Sequence, residues 1–466
     1  MLKNIRARLS KVLAAGFVRN VSVLVGGTAI AQALTVLILP FLTRLYSPGD
    51  FAALAAYASI LGILASIACL RLEIAIPIPE QEEEAADLLL LALTIATTIA
   101  MVVGLTIWVY PAQIIAFTGQ PALAPYLWLL PLGIWFSGVY AALQYWSTRQ
   151  KQFSLIARTR VSQAGASAVV QLSFGWAGLT PVGLLLGQLA NSGAGIFKLS
   201  SDTWRHHRKA LLAVRLHTML RTLRRYDRFP KYSTLEALAN SAGLQLPILI
   251  IAALAVGPEA GFLMLASRVM AAPMALIGGA VSQVYLSRAP EERRQGRLAS
   301  FTSTILSALV KTGVGPLIFI GIIAPFAFPI VFGTEWTRAG QIVSWMTPWF
   351  IFQLLASPVS MILHVTNNQR TAFFLQITGF IIRVGFVFIA FYIAPQYIVE
   401  AYAVSGFIFY FIYLIIVLNI AGISYNATTL FNLKNWLIII IWTVIAGAAA
   451  YSFEFAQVYF SHAPKI

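Results

Sequence analysis

Apolar residues fall along the chain in long runs broken by short polar stretches. A window of roughly 19 residues marks runs at 17–43, 51–76, 86–110, 122–147, 156–176, 178–198, 232–256, 260–287, 300–332, 341–365, 371–394, 398–420 and 435–457. A helix needs about 20 residues to cross the hydrocarbon core of a bilayer, so the pattern predicts an all-α polytopic membrane protein of about 12–14 spans, with thirteen counted. The first run follows Lys3, Arg6, Arg8, Lys11 and Arg19, as a signal peptide would. It exceeds the roughly 15 apolar residues such a segment carries, and "AIA" at 29–31 lies inside it, so it reads as a retained first span.

Composition agrees. Hydrophobic residues make up 59% and charged residues 10% of the 466, and mean hydropathy is +0.80. The net charge of +16 would suggest a nucleic-acid partner in a soluble chain, but its placement argues against one. With the N-terminus in the cytoplasm, successive inner loops collect the five N-terminal cations, Arg71, the four at 149–160, the ten at 198–231, the four at 288–297, Arg370 and Lys434. The opposite side receives Arg44, Arg338 and Lys465. That is the bias of a multi-pass protein with its positive loops inside. Cys69, the single cysteine, lies in an apolar run, where it packs and forms no intrachain disulfide.

The basic stretch from Lys198 to Lys231 has Leu and Val spaced as in an amphipathic interfacial helix joining two halves, with anionic membrane lipids as its partner. His206, His207 and His217 lack carboxylate or Cys companions at metal spacing, so no metal site is expected. The halves echo one another: "FTGQPALAPYLWLLPLGIWF" leads to "TRQKQF", and "FGTEWTRAGQIVSWMTPWFIF" leads to "TNNQRTAF". An even number of spans separates the echoes, as in repeats related by an axis along the membrane normal. The expected division is 1–198 for helices 1–6, 199–230 for a cytoplasmic linker, 231–420 for helices 7–12 and 421–466 for a C-terminal loop and extra span.

Three cations stand within spans: Arg268, Lys311 and Arg383. At about 1.5 Å per residue, Lys311 and Arg383 each lie about 16 Å from their inner ends. Each would cost about 2.5–3.5 kcal/mol facing lipid, so they are expected to line one cavity that selects an anion. Acids within spans are fewer: Glu73 and Glu236, with Glu259 and Glu400 at the outer edge. Arg71 and Glu73, two apart, do not face one another along a helix, so each is expected to take a different partner. They stand either at the mouth where an anionic substrate arrives or as an inner gate paired with neighbouring helices. The following "EQEEEAAD" reads as a solvated loop without chemistry.

The outer loops hold little beyond Asp50, Glu335 and His462, and no phosphate-cradling "GxxxxGK[ST]" occurs, so neither an enzyme nor an ATP-driven pump is expected. Transport remains, with no cofactor beyond a coupling Na+ or H+. The segments "GGTAIAQALTVLILPFLTRLYSPGDFA", "LRLEIAIPIP", "GLLLGQL", "FPKYSTLEALANSAGLQLPILI", "ASRVMAAPMALIGGAVSQVYLSRA" and "FGTEWTRAGQIV" resemble the oligosaccharide flippase family of the multidrug/oligosaccharidyl-lipid/polysaccharide exporter superfamily. The resemblance implies two six-helix lobes around a central cleft. It implies alternating access that turns undecaprenyl-pyrophosphate-linked oligosaccharide from the cytoplasmic to the periplasmic leaflet of a bacterial inner membrane, for O-antigen, capsule or exopolysaccharide, alongside other polysaccharide-assembly proteins. "SRVMAAP" is similar to a lipid II flippase segment whose Arg meets pyrophosphate, which points to Arg268 as a substrate residue beside Lys311 and Arg383. Further cleft arginines of those relatives find no mid-span match, only Arg44 and Arg71 near helix ends, which favours the oligosaccharide branch. Arg44, Arg71, Glu73 and Glu236 are the gate or ion-coupling candidates. A cation-coupled multidrug exporter, which would place acids in its cleft, and a membrane polysaccharide polymerase, which would place charges in an outer loop, are the competing readings.

Overall fold

A computed structural model of the protein describes residues 23, 25–366, 368–423 and 433–461. Lys3, Arg6, Arg8, Lys11, Arg19, His462 and Lys465 lie outside them. The described residues form helices and turns, with no strand among them. The helices are α1 (Val25–Leu45), α2 (Pro48–Ala65), α3 (Glu82–Val109), α4 (Pro111–Thr118), α5 (Leu129–Arg149), α6 (Phe153–Trp176), α7 (Val182–Gly193), α8 (Ile196–Ala213), α9 (Leu216–Arg225) and α10 (Thr234–Leu254). They continue with α11 (Glu259–Pro273), α12 (Gly279–Arg294), α13 (Leu298–Leu309), α14 (Gly315–Phe332), α15 (Thr337–Ala356), α16 (Ile362–Val365), α17 (Gln369–Ile393), α18 (Ile398–Ile420) and α19 (Leu433–Ser461). Among the described residues, seven stretches are long and apolar enough to cross a membrane on those grounds alone, including Val25–Leu45, Glu82–Val109 and Leu298–Phe332. Other apolar runs, such as those giving α5, α6 and α15, carry polar side chains that the fold turns inward: Ser147, Thr159, Gln163, Gln171 and Thr347 are buried. The protein is a multi-pass, all-α membrane protein.

The chain forms two compact units. One comprises Met1–Ile38 and Tyr57–Ala242, and the other Leu39–Ala56 and Gly243–Ile466. The basic stretch at 198–231 is therefore part of the first unit, and the second takes the end of α1 and the start of α2.

In the first unit, Leu72, Ile76, Leu88, Leu89, Ala92, Ala96, Ala142, Trp146 and Leu199 make a buried cluster joining α3, α5 and α8. Gly138 on α5 lets it approach, with Ala68, Cys69 and Ala96 around the missing side chain. The Cys69 thiol donates to the Gly138 carbonyl at 3.3 Å, which is the packing role expected of it.

In the second unit, Ser47, Pro48 and Asp50 start α2. The Ser47 hydroxyl accepts the Asp50 N–H at 3.2 Å, and the Asp50 carboxylate accepts the Ser47 N–H at 2.8 Å, a reciprocal cap with Pro at the first helical position. Trp336, fully buried, ties this segment down: its indole N–H donates to the Thr43 carbonyl at 3.1 Å and Phe51 meets its ring edge-on at 4.8 Å.

Several expected spans differ from their hydropathy. The run at 51–76 is helical only to Ala65; beyond it the chain makes turns and a short 3-10 segment, Leu72–Ala75. Leu70 and Arg71 take positive φ, 47° and 61°, which ends any α-helix. The run at 260–287 is interrupted by a π-helical turn, Met274–Gly278, and a second π turn, Val310–Val314, joins α13 to α14.

Candidate functional site

The residues named from sequence separate into four settings. The first is Arg71 with Glu73. The left-handed backbone at Leu70 and Arg71 swings the two side chains together, and Arg71 Nη1 stands 3.6 Å from Glu73 Oε1. The expectation that each needs a different partner is thus overturned: spacing two apart separates side chains on a helix, and this segment is not one. The pair is incompletely satisfied, since Glu73 is 5% exposed while its Oε2 and the Arg71 Nε have no hydrogen-bond partner.

The second setting is the acidic stretch after it. Rather than a solvated loop, Glu82–Asp87 opens α3, where carboxylates favour the positive helix end. Those carboxylates hold the basic segment. Asp87, 6% exposed, accepts from the Thr218 hydroxyl at 2.8 Å and the Thr222 hydroxyl at 3.2 Å. Arg225 donates to Glu84 at 2.8 Å, and the His207 ring Nδ1 lies 2.5 Å from Glu82 Oε1, with Trp146 edge-on to that ring at 5.4 Å. Arg149 closes the same face by donating to the carbonyls of Pro79, Glu80 and Gln81. The single interfacial helix expected here is two, α8 and α9, broken at Val214 and Arg215, with a kink at His207.

The third setting is a charged triad of the second unit. Arg338 at the start of α15 donates in a forked pair to Glu259 of α11, Nε–Oε1 3.0 Å and Nη2–Oε2 3.2 Å, and its Nη1 meets Glu400 of α18 at 2.7 Å. Arg44, exposed, donates to the Ile330 carbonyl at 3.3 Å, so it fixes the end of α1 against α14.

The deep cations make the fourth setting. Among the described residues, none of Arg268, Lys311 and Arg383 has a carboxylate at ion-pair distance; Glu73, Glu259 and Glu400 are taken by Arg71 and Arg338. The three are not alike. Arg383 is 3% exposed and enclosed by aromatic rings, its guanidinium carbon 4.5 Å from the Phe409 centroid, 5.6 Å from Tyr410 and 6.0 Å from Trp349. It occupies an aromatic box between α15, α17 and α18. Arg268, half-buried on α11, precedes the π turn Met274–Gly278, and Lys311, exposed, lies within the π turn Val310–Val314. Gly313 of the second turn would place a Cβ 3.6 Å from Ile277 of the first and in contact with Leu354 of α15, so the two π turns adjoin. Such turns often mark functional positions, and hydropathy gives no sign of them. Glu236 is exposed near the start of α10. The rings of Trp349, Tyr402, Phe409 and Tyr410 around Arg383 escaped sequence reasoning; the aromatic density of "SGFIFYFIY" was the available signal.

Among known proteins, the family described as polysaccharide biosynthesis protein matches residues 41–341. No curated protein sequence matches the chain. Among solved structures, the lipid II flippase MurJ in an inward closed conformation superposes with TM-score 0.67 at 15% identity, covering 91% of this chain and 98% of that one. The eukaryotic MATE transporter AtDTX14 follows with 0.57 at 13% identity, covering 94% and 98%. An inward-facing multidrug resistance MATE transporter of the MOP superfamily gives 0.53 at 13% identity, covering 86% and 94%. At these identities the likeness is one of fold.

Proposed function

The chain belongs to the polysaccharide biosynthesis protein family, and from that premise we propose that it is a flippase for undecaprenyl-pyrophosphate-linked oligosaccharide, moving repeat units from the cytoplasmic to the periplasmic leaflet of a bacterial inner membrane by alternating access. The observation that carries the reading is the cation surplus: among the described residues Arg268 and Lys311 lack carboxylate partners, while Glu73 is paired with Arg71, and Glu259 and Glu400 with Arg338. A cation without an acid in a membrane protein is expensive unless it serves an anion, and pyrophosphate offers strong acceptors to a guanidinium. The same surplus is the reverse of what a carrier of cationic drugs needs, which disfavours the multidrug reading.

In this proposal Arg268 and Lys311 receive the pyrophosphate and any acidic sugar. Arg383, closed in by rings, keeps a supporting place. Glu73 is the candidate for a coupling proton or Na+, because its Oε2 is buried without a partner. Arg44 and the Arg71–Glu73 pair would act at the helix ends they occupy, Glu236 at the start of α10, and the N-terminus would lie in the cytoplasm. Other polysaccharide-assembly proteins would supply and consume the lipid-linked unit.

The deciding experiment is charge reversal at Arg268. Arg268→Glu, expressed at the native level, should leave lipid-linked repeat units in the cytoplasmic leaflet and deplete surface polysaccharide by at least about tenfold, a loss of about 1.4 kcal/mol or more. Arg268→Lys should retain part of the activity. Unchanged surface polysaccharide in cells carrying the reversal and no second flippase would refute the proposal.

A further inference from the structure

The basic segment has two faces, and only one is used inside the protein. Toward the unit, Leu199 and Thr203 of α8 and Thr222 of α9 are buried, and Leu211, Met219, Leu223 and Tyr226 pack on the core cluster. The Glu82, Glu84 and Asp87 contacts lie on this side. Away from it, Trp204 and Leu212 of α8 are 54% and 71% exposed, and Leu216 and Leu220 of α9 are 73% and 50% exposed. Leu216 and Leu220 lie one turn apart on one face of α9, and Trp204 and Leu212 flank the kink at His207 in α8. Arg208, Lys209, Arg221 and Arg224, all exposed, neighbour these residues in the sequence. None of these four has an acid partner among the described residues.

Depth fixes what this face meets. The 28 residues of α3 span about 42 Å at about 1.5 Å each, against a hydrocarbon core of about 30 Å. Its charge-free run begins at Leu88, immediately after Asp87. Asp87 is where Thr218 and Thr222 attach, so α9 sits at the level where hydrocarbon gives way to headgroups. A helix at that level with an exposed face of Leu and Trp flanked by unpaired Arg and Lys matches a negatively charged bilayer surface: the apolar groups enter the acyl boundary and the cations meet phosphates.

We propose that the outward face of α8 and α9 is an anionic-lipid docking surface, with Trp204, Leu212, Leu216 and Leu220 as its anchors and Arg208, Lys209 and Arg221 as its phosphate contacts. It operates whatever the protein transports, and its test needs no transport readout. The full chain carrying Cys69→Ser and Leu216→Cys, labelled with an environment-sensitive nitrobenzoxadiazole, is placed in nanodiscs of phosphatidylcholine with increasing phosphatidylglycerol. Leu216 is exposed, and the serine keeps a donor for the Gly138 carbonyl. Phosphatidylglycerol should shift the emission to the blue and suppress iodide quenching severalfold, and high salt should reverse both in part. Adding Arg208→Gln, Lys209→Gln and Arg221→Gln should weaken association of the face with the anionic surface by about fivefold per charge removed, so that the phosphatidylglycerol fraction giving half the shift in the parent no longer does so. A label equally quenched by iodide in both kinds of disc would overturn the proposal and leave the face open to a soluble acidic partner. A label protected equally in neutral discs, with no response to salt, would overturn the anionic specificity.

Discussion

Arg338 and Arg383 are both guanidinium groups set among the helices of the second unit, and equivalent substitutions should have opposite costs. Removing Arg338 leaves Glu259 and Glu400 facing each other, Glu400 being 7% exposed. Losing one partner of such a cluster costs more than the cluster is worth. Arg338→Met should therefore lower unfolding stability by about 3 kcal/mol, read by thermal unfolding in detergent, and adding Glu400→Gln should recover part of the loss. Arg383→Met removes a buried charge that has no acid partner among the described residues, at the expense of cation–π contacts worth about 2 kcal/mol. Its net change should stay within about 2 kcal/mol of zero in the same assay. At this scale the sequence placed the charges well and their partners poorly. Arg71 and Glu73 were misjudged because two-residue spacing has meaning only once the backbone is known, and neither Leu70 nor Arg71 is a residue that advertises positive φ.

Between elements, packing rests on residues without side chains at the contact. A Cβ on Gly261 of α11 would collide with the Pro48 carbonyl oxygen, and one on Gly340 of α15 would stand 2.5 Å from the Ala324 carbonyl oxygen. Backbone cannot give way as a side chain can, and close approach through small residues is the usual basis of helix association in membranes. Gly340→Val should cost roughly 3 kcal/mol or more and sharply reduce the folded yield in a size-exclusion assay, whereas the same change at Gly279, where nothing lies within 4 Å, should not. The other element-scale test concerns α9. Asp87→Leu deletes both hydroxyl contacts and should raise the rate of tryptic cleavage at Arg221 or Arg224 about tenfold, followed by gel electrophoresis of intact protein. Hydropathy located the helices because burial in lipid is a property of residue type. It missed the break after Ala65, the π turns at 274–278 and 310–314 and the docking of "EQEEEAAD", because these depend on contacts with residues far along the chain. Asp87 and Thr218, for example, are 131 residues apart.

For the molecule as a whole, class and family were legible: composition and run length gave a polytopic helical protein, and motif resemblance gave a group that agrees with the matched family. Sequence repeats suggest a boundary at the basic segment; the contacts group residues 39–56 with the C-terminal unit and the basic segment with the N-terminal one. Trp336 and Gly261, which hold residues 43–51, could not have been paired with them by spacing.

Those same long-range attachments set an order of assembly. Glu82 leaves the ribosome 125 residues ahead of His207, and at about 5–20 residues per second the acidic start of α3 stands without its basic partners for roughly 6–25 s. Thr43 is 293 residues ahead of Trp336 and waits longer still. The N-terminal unit thus closes its acidic face only after the basic segment is synthesised, and the end of α1 stays unanchored until the second half of the chain has entered the membrane.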